Sequence, residues 1–471
     1  MSVFALHVGR SLAQAMLTII MTSYGYAATF VMSFTVCRLI LFCSLLPLYL
    51  VKLSCNISPT VVRNFASLFS SQGRNQLVQE AEEYRGQCES LAIAQCQGTY
   101  RFSEYNLYRV RRQGPGWMPD IPWADCTEEM AICGATVRFV HQKPTLDGPA
   151  GRRRPIIFLH GNPSWSYIWR NILPHLVDQG HEVYALDWLG HGRSDKATHP
   201  ESVTFELHIH TLMQLFKVHN LRHATIVAHD WGGYVVDPAS IFGCLRPWLT
   251  VSRCVALCAI PQLPQMACTR LLLLNSFLPP RPDEWNLHYG LLYAIWFLST
   301  GLLGGYVPES GVMRFMSPHL PQPEVDGYSA PYQSLPVATK ASVFRFGHIV
   351  PVTPRFALHG LRQTRLWKLL EGLCGPRHFD NLSQQARLAK RGEEVRQSWR
   401  AGLEKGNPEV AVVFGEQDPL LKLYKDILVD CIHPAHMVEW APQGMWLSGG
   451  GHYPMEEKAA DISLLAERLA S

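Results

Sequence analysis

The chain has 471 residues, 47% hydrophobic and 17% charged, with 42 Lys and Arg against 38 Asp and Glu for a net charge of +4. So mild a balance gives no electrostatic case for nucleic acid, and the length holds one large α/β domain with an insertion and an N-terminal extension. Thirteen cysteines without a paired CxxC spacing argue against a zinc site and a secreted disulfide framework, so neither metal nor cofactor is expected and the thiols suit a reducing compartment.

From Ser11 to Cys37 there is no charged side chain, more than the about 20 residues needed to cross a bilayer. After Arg38 a second apolar run continues from Leu39 to Val51. The first run lacks the polar face of a soluble helix and exceeds the apolar core of about 7 to 15 residues in a cleaved signal. Residues 1–54 are therefore expected to anchor the chain in a membrane, as one span plus an interfacial segment or as a hairpin of two. With one span, Arg38 and Lys52 outweigh Arg10 and leave the catalytic domain in the cytosol; a hairpin with a cytosolic amino terminus gives the same side. No acid precedes Glu80, so an organellar targeting segment is the alternative. Residues 55–117 are polar and mixed, with Glu80 to Glu83 in a short helix and Gly114-Pro115-Gly116 as punctuation, and read as a tether. Within it, Asn56-Ile57-Ser58 matches a glycosylation acceptor that Pro59 and the cytosolic side argue against.

Beyond the tether, short apolar runs bounded by turn residues predict a mostly parallel sheet. Strands are expected within Thr127 to His141, at Pro155 to Leu159, Glu182 to Leu186, Thr225 to Ala228 and Arg253 to Ile260, and again at Glu409 to Phe414. Cys254 and Cys258 share one face of their strand as packed thiols. The core is thus assigned to residues 118–262 and 407–471, and residues 263–406 to an inserted, mainly helical cap whose aromatic segments would exclude water from a pocket.

Several strand ends carry chemistry. His229-Asp230-Trp231-Gly232 follows Thr225-Ile226-Val227-Ala228, and Ala228, Gly232 and Gly233 supply the small neighbours that a sharp strand-to-helix turn requires. The turn has the form of a nucleophile elbow with an aspartate at its tip; the bland alternative is an Asp capping an ordinary helix. Upstream, Pro155 to Leu159 opens into His160-Gly161-Asn162-Pro163, where Asn162 is a candidate oxyanion donor. Downstream, Val410 to Phe414 opens into Gly415-Glu416-Gln417-Asp418-Pro419, at a strand end where sites in parallel sheets collect. Asp418 could orient a histidine, and His452 in Gly449-Gly450-Gly451-His452-Tyr453-Pro454 is the candidate.

HGNPSWSYIWRNILPHL from His160, DWLGHGRSD from Asp187, HDWGG at Asp230, FGEQDPL around Asp418 and GGHYPMEE around His452 together resemble the haloalkane dehalogenases. LNSFLPP from Leu274 and DGYSAPY from Asp326 are similar to cap segments of that family. The resemblance covers most of the chain after about Pro119 and implies an α/β-hydrolase fold with a small hydrophobic organic substrate. It also implies a catalytic set of Asp230, Asp418 and His452. Asp230 would attack a carbon bearing a halide, ionised without help. The Asn162 amide and the Trp231 indole would hold the leaving halide, and His452, oriented by Asp418, would activate the water that hydrolyses the ester. Backbone N–H groups of Asn162 and Trp231 would hold the oxyanion. A further halide-binding residue usually comes from the cap; Trp296 is the candidate by position and Trp285 its rival, while either could be a packed aromatic. Epoxide hydrolases share the fold, the nucleophile and the HDWG string and polarise the epoxide with cap tyrosines, for which Tyr289, Tyr293, Tyr328 and Tyr332 are available. Asn162 favours dehalogenation. A non-catalytic binding module with this fold is the reading from another class.

The chain departs from the family at Pro238, Gly243 and Pro247, which shorten or kink the helix after the elbow. It also departs at Ser329, where an aspartate is common, and between Arg355 and Asn407. None of these removes a catalytic candidate, and together they predict a divergent pocket.

Overall fold

The computed structural model describes residues 35–111, 126–144, 154–230, 263, 266–277, 287–349, 363–379, 397, 399–400 and 408–471. The expectations for Trp231, the helix after the elbow, Arg253 to Ile260, Trp285, the side chain of Tyr289 and the first part of the apolar N-terminus lie outside these residues.

Ten strands are described: β1 (Leu107–Tyr108), β2 (Thr127–Ile132), β3 (Ala135–Gln142), β4 (Ile156–Leu159), β5 (Val183–Leu186), β6 (Lys196–Ala197), β7 (Ala224–His229), β8 (Cys268–Leu274), β9 (Glu409–Gly415) and β10 (Met445–Leu447). Eight form one sheet in the order β10-β9-β8-β7-β4-β5-β3-β2. Pairing is parallel from β5 through β4, β7, β8 and β9 to β10, and antiparallel where β3 meets β5 and β2 meets β3. Helices cover this mixed sheet on both faces, and every residue of β4, β5 and β7 is buried, as continuous β-branched and leucine-rich runs in parallel sheets require.

Register aligns the strand ends. Leu159 pairs with Ala228, Leu274 with Val413, and Leu447 with Gly415. The turns after β4, β7, β8 and β9 and the loop after β10 therefore open along one edge of the sheet, the carboxyl edge where α/β sites lie.

The seat between β7 and β9 is taken by Cys268–Leu274, which lies in the stretch assigned from sequence to the cap. A run of leucines fits a helix as well as a buried strand, so periodicity does not separate them. Residues 287–349 between β8 and β9 are helical, including Leu287–Leu303, Glu309–Met316, Gln322–Ser329 and Ala341–Ile349.

Within the stretch expected to be a tether, Ser71–Cys96 is a helix, capped by Ser70 whose hydroxyl accepts from Gly73 N–H. It is bound to the core through Gln95, whose side chain donates to Ser202 O (2.7 Å) and accepts from the Thr204 hydroxyl (2.5 Å). The preceding helix Thr35–Asn64 contains Pro47 and Pro59. Leu41 and Leu45 on it are buried with Ile295 and Leu298 of Leu287–Leu303, and Lys52 Nζ donates to the carbonyls of Gly301 and Leu302 (2.8 and 2.9 Å). Among the described residues one segment, Leu41–Phe69, is long and apolar enough to cross a membrane, and only 11% of its most apolar window is buried.

Candidate active site

Asp230 comes one residue after β7 and takes φ +48°, a left-handed conformation that costs a non-glycine residue of order 1–3 kcal/mol. Its neighbours hold it there. Ser276 Oγ donates to the Asp230 carbonyl (2.9 Å), and the Asn162 backbone N–H donates to Asp230 Oδ2 (3.1 Å). A Cβ on Gly161 would lie 2.5 Å from Asp230 Cβ, so the turn after β4 can approach the carboxylate only with glycine at that position.

His452 is buried and its Nδ1 faces both carboxylate oxygens of Asp418 at 3.1 and 3.2 Å. The pairing leaves Nε2 as the basic nitrogen. Burial pulls the His452 pKa down, but the charge of Asp418, its hydrogen bond, and the charges of Asp230 and Glu457 outweigh this and leave it above the ordinary value. For Asp418 burial works upward; the charge and hydrogen bond of His452 and the N–H groups of Leu420 and Leu421 win, and the carboxyl lies below its usual range.

A residue the sequence did not single out completes this set. Asn275, directly after β8 and at φ +41°, donates through Nδ2 to Asp418 Oδ2 (2.6 Å) and to the Gly451 carbonyl (3.0 Å), while its Oδ1 accepts from Gly415 N–H (2.9 Å). It ties the ends of β8 and β9 to the loop that carries His452. The signal was present, because Asn275 lies in LNSFLPP, but that string was read as cap. Gly415 is required for the same closure: a Cβ there would lie 2.1 Å from the Gly451 carbonyl oxygen.

His229 is the counterpart beside Asp230. Its Nε2–H donates to the His452 carbonyl (2.9 Å), and burial, with the nearby His452 charge, lowers its pKa far below the ordinary value, so it stays neutral.

The remaining strings support the turn after β4. Asp187 accepts from Ser166 N–H (2.8 Å) and from Arg193 N–H and Nε (both 3.0 Å). Trp188 Nε1 donates to the His160 carbonyl (3.0 Å). Burial, the largest influence, takes His160 down to about 4, so this ring also stays neutral. Asn162 is held at both ends: Tyr453 OH donates to its carbonyl (3.0 Å), and His191 Nε2 is 3.1 Å from its Oδ1. With Oδ1 accepting from His191, the two amide protons on Nδ2 remain as donors.

Trp296 is half-buried on Leu287–Leu303 and lines, with Pro163, Thr300, Glu309 and Lys340, a cavity of about 10 Å³, room for one water. It is thus brought beside the residue that follows Asn162. Two of the tyrosines have their hydroxyls engaged elsewhere. Tyr328 donates to Glu456, which also receives both terminal nitrogens of Arg170 (2.7 and 2.6 Å), and Tyr332 donates to the Gly190 carbonyl (3.1 Å).

Comparison with known proteins points to the same fold. Residues 154–236 match the family described as alpha/beta hydrolase fold. A haloalkane dehalogenase of Mycobacterium marinum is 29% identical over 218 residues, 46% of this chain and 62% of the relative. Haloalkane dehalogenase 1 of Mycobacterium tuberculosis is 31% identical over 200 residues, 42% of this chain and 58% of the relative. The chain therefore spans about three fifths of the length of these relatives. Among solved structures, haloalkane dehalogenase DpaA from Paraglaciecola agarilytica aligns with a TM-score of 0.54 at 19% identity, over 76% of this chain and 97% of that one, a likeness of fold.

Proposed function

We propose that the chain is a haloalkane dehalogenase-like α/β-hydrolase that hydrolyses small organic halides through an ester on Asp230. A carboxylate oxygen of Asp230 attacks the carbon bearing the halogen, the carbon-halogen bond breaks, and the halide leaves with the bonding pair. The Asn162 amide, the Trp231 indole and Trp296 receive the halide, donors that need no proton transfer to it. Water then attacks the ester carbonyl while His452 Nε2 takes its proton. Collapse of the oxyanion, held by the N–H groups of Asn162 and Trp231, releases the alcohol and restores Asp230.

The observation that carries this reading is an aspartate on the strained turn, with its carboxylate on the Asn162 N–H and a buried His–Asp pair joined to the same turn. Esterification also removes the Asp230 charge, one of the influences that hold the His452 pKa up. The base is thereby released for the step that needs it. The epoxide alternative is weakened by the engaged hydroxyls of Tyr328 and Tyr332. In this reading residues 287–349 roof the pocket as a cap, and the apolar helix anchors the enzyme with its catalytic domain in the cytosol.

The test is to incubate purified His452→Ala protein with brominated alkanes and, separately, with epoxides, and to follow bromide release and the mass of the Asp230 peptide. An alkyl adduct with stoichiometric bromide is expected. A hydroxyalkyl adduct from epoxides alone would replace this reading with the epoxide one, and no adduct from either would favour a binding module.

A further inference from the structure

A group of donors outside the active site stands at the opposite edge of the sheet. Glu128 is on β2, His141 near the end of β3, and His219 directly after the helix Phe205–Val218. His141 pairs with Tyr184 near the start of β5, whereas Asp230 lies beyond the ends of the parallel strands. One oxygen of Glu128 and one nitrogen from each histidine lie within 4.8 Å of one another.

The hydrogen bonds around His141 leave a place for a cation. Its Nε2 is 2.7 Å from Glu182 Oε1, which also accepts from Tyr184 OH (3.0 Å). Donation of Nε2–H to that carboxylate presents the Nδ1 lone pair to Glu128 Oε1 at 2.7 Å, an acceptor facing an acceptor. A cation between them removes the conflict. A proton would satisfy His141 and Glu128 but leave out His219, whose Nε2 is 3.8 Å from Glu128 Oε2, beyond hydrogen-bonding distance. A tetrahedral ion with bonds of about 2.0–2.1 Å separates its ligands by about 3.3 Å, so small side-chain adjustments would engage all three.

We propose that Glu128, His141 and His219 bind one zinc ion or similar late first-row divalent cation, with water in the fourth position. The His₂–carboxylate donor set suits such an ion, and a histidine whose other nitrogen donates to a carboxylate is the arrangement that orients and strengthens metal-binding imidazoles. Both rings are fixed against Tyr184, His141 stacked at 4.3 Å and His219 edge-on at 5.0 Å. Glu128 is 48% exposed, so the ion can enter from solvent. The ligands come from three elements, so no short spacing announced the site and none was expected from the cysteines. Bound there, the ion would join the edge strand β2 and its neighbour β3 to the end of a helix, away from the reacting atoms.

The test uses the untagged full chain in detergent, titrated with zinc calorimetrically and examined by X-ray absorption, beside His219→Gln and Glu128→Gln. One site with two imidazole ligands and a carboxylate is expected, weakened by about 10 to 100-fold in each variant. Equal affinity in wild type and both variants, sulfur ligation, or no binding at all would overturn the proposal.

Discussion

Replacing Asn275 by alanine should unsettle both stability and the second chemical step. Its side chain is fully buried and makes hydrogen bonds of 2.6 Å to the Asp418 carboxylate, 3.0 Å to the Gly451 carbonyl and 2.9 Å from Gly415 N–H. A hydrogen bond to a charged group contributes about 1.5–3 kcal/mol and a neutral one about 1 kcal/mol, so the loss is on the order of 4 kcal/mol. That is a large part of the about 5–15 kcal/mol typical of a folded domain. Urea unfolding of the detergent-solubilised protein should show a lower midpoint at unchanged slope. In stopped-flow reactions with a bromoalkane, ester hydrolysis should slow more than bromide release, because in the proposed mechanism His452 serves the hydrolytic step and Asp418 orients it. Asn275→Asp is the companion variant: it places a second carboxyl against Asp418, and two buried carboxylates at that distance cannot both ionise. A destabilisation under about 1 kcal/mol with unchanged ester hydrolysis would refute this account of Asn275.

Other expectations follow from the same geometry. Gly161→Ala puts a methyl 2.5 Å from Asp230 Cβ and 2.6 Å from its Oδ2, and displacement of the nucleophile should slow adduct formation by about 100-fold; an adduct rate close to wild type would contradict the crowding. The raised His452 pKa predicts that ester hydrolysis climbs with pH through that pKa. The midpoint should be lower in the alkylated enzyme, where the Asp230 charge is gone, and a pH-independent hydrolysis rate would count against His452 as the base. In the unmodified protein, the stabilisation from protonated His452 is full below its unfolded value of about 6.5 and lost as pH rises through the higher folded value; denaturation midpoints across that window report it. Tyr328→Phe removes a donor to Glu456 and should cost about 1–3 kcal/mol of stability while bromide release and epoxide turnover keep their ratio. Selective loss of epoxide turnover would give Tyr328 a chemical role after all.

What was legible in the sequence was local. His160 to Asn162, His229-Asp230 and Asp418 each follow or terminate a short apolar run, and His452 sits in a run of glycines, so a strand end or a loop could be read from neighbouring residues alone. Asn275 has the same position after β8 but follows Leu271 to Leu274, a run that suits a helix equally well, and its partners at Gly415, Asp418 and Gly451 are distant in sequence. Only a short helix at Glu80 to Glu83 could be read where the helix Ser71–Cys96 runs, for a similar reason: its polar composition conceals that Leu77, Ala81 and Ala92 are buried by packing. The cluster of Glu128, His141 and His219 depends on strand register and on where a helix stops, neither of which has a string of its own.

The bond from His229 to the His452 carbonyl spans 223 positions, with further consequences for how activity appears during synthesis. Asp230 leaves the ribosome long before the loop that carries His452. Until that loop docks, the turn at Asp230 lacks the bond from His229 to the His452 carbonyl, and the Asn162 carbonyl has yet to receive Tyr453. Such non-local closures are slow steps in chain folding. On the proposed mechanism, reactivity would arrive late and together with the completed sheet, and an unfinished chain would have an alkylatable carboxylate but no means of turning it over.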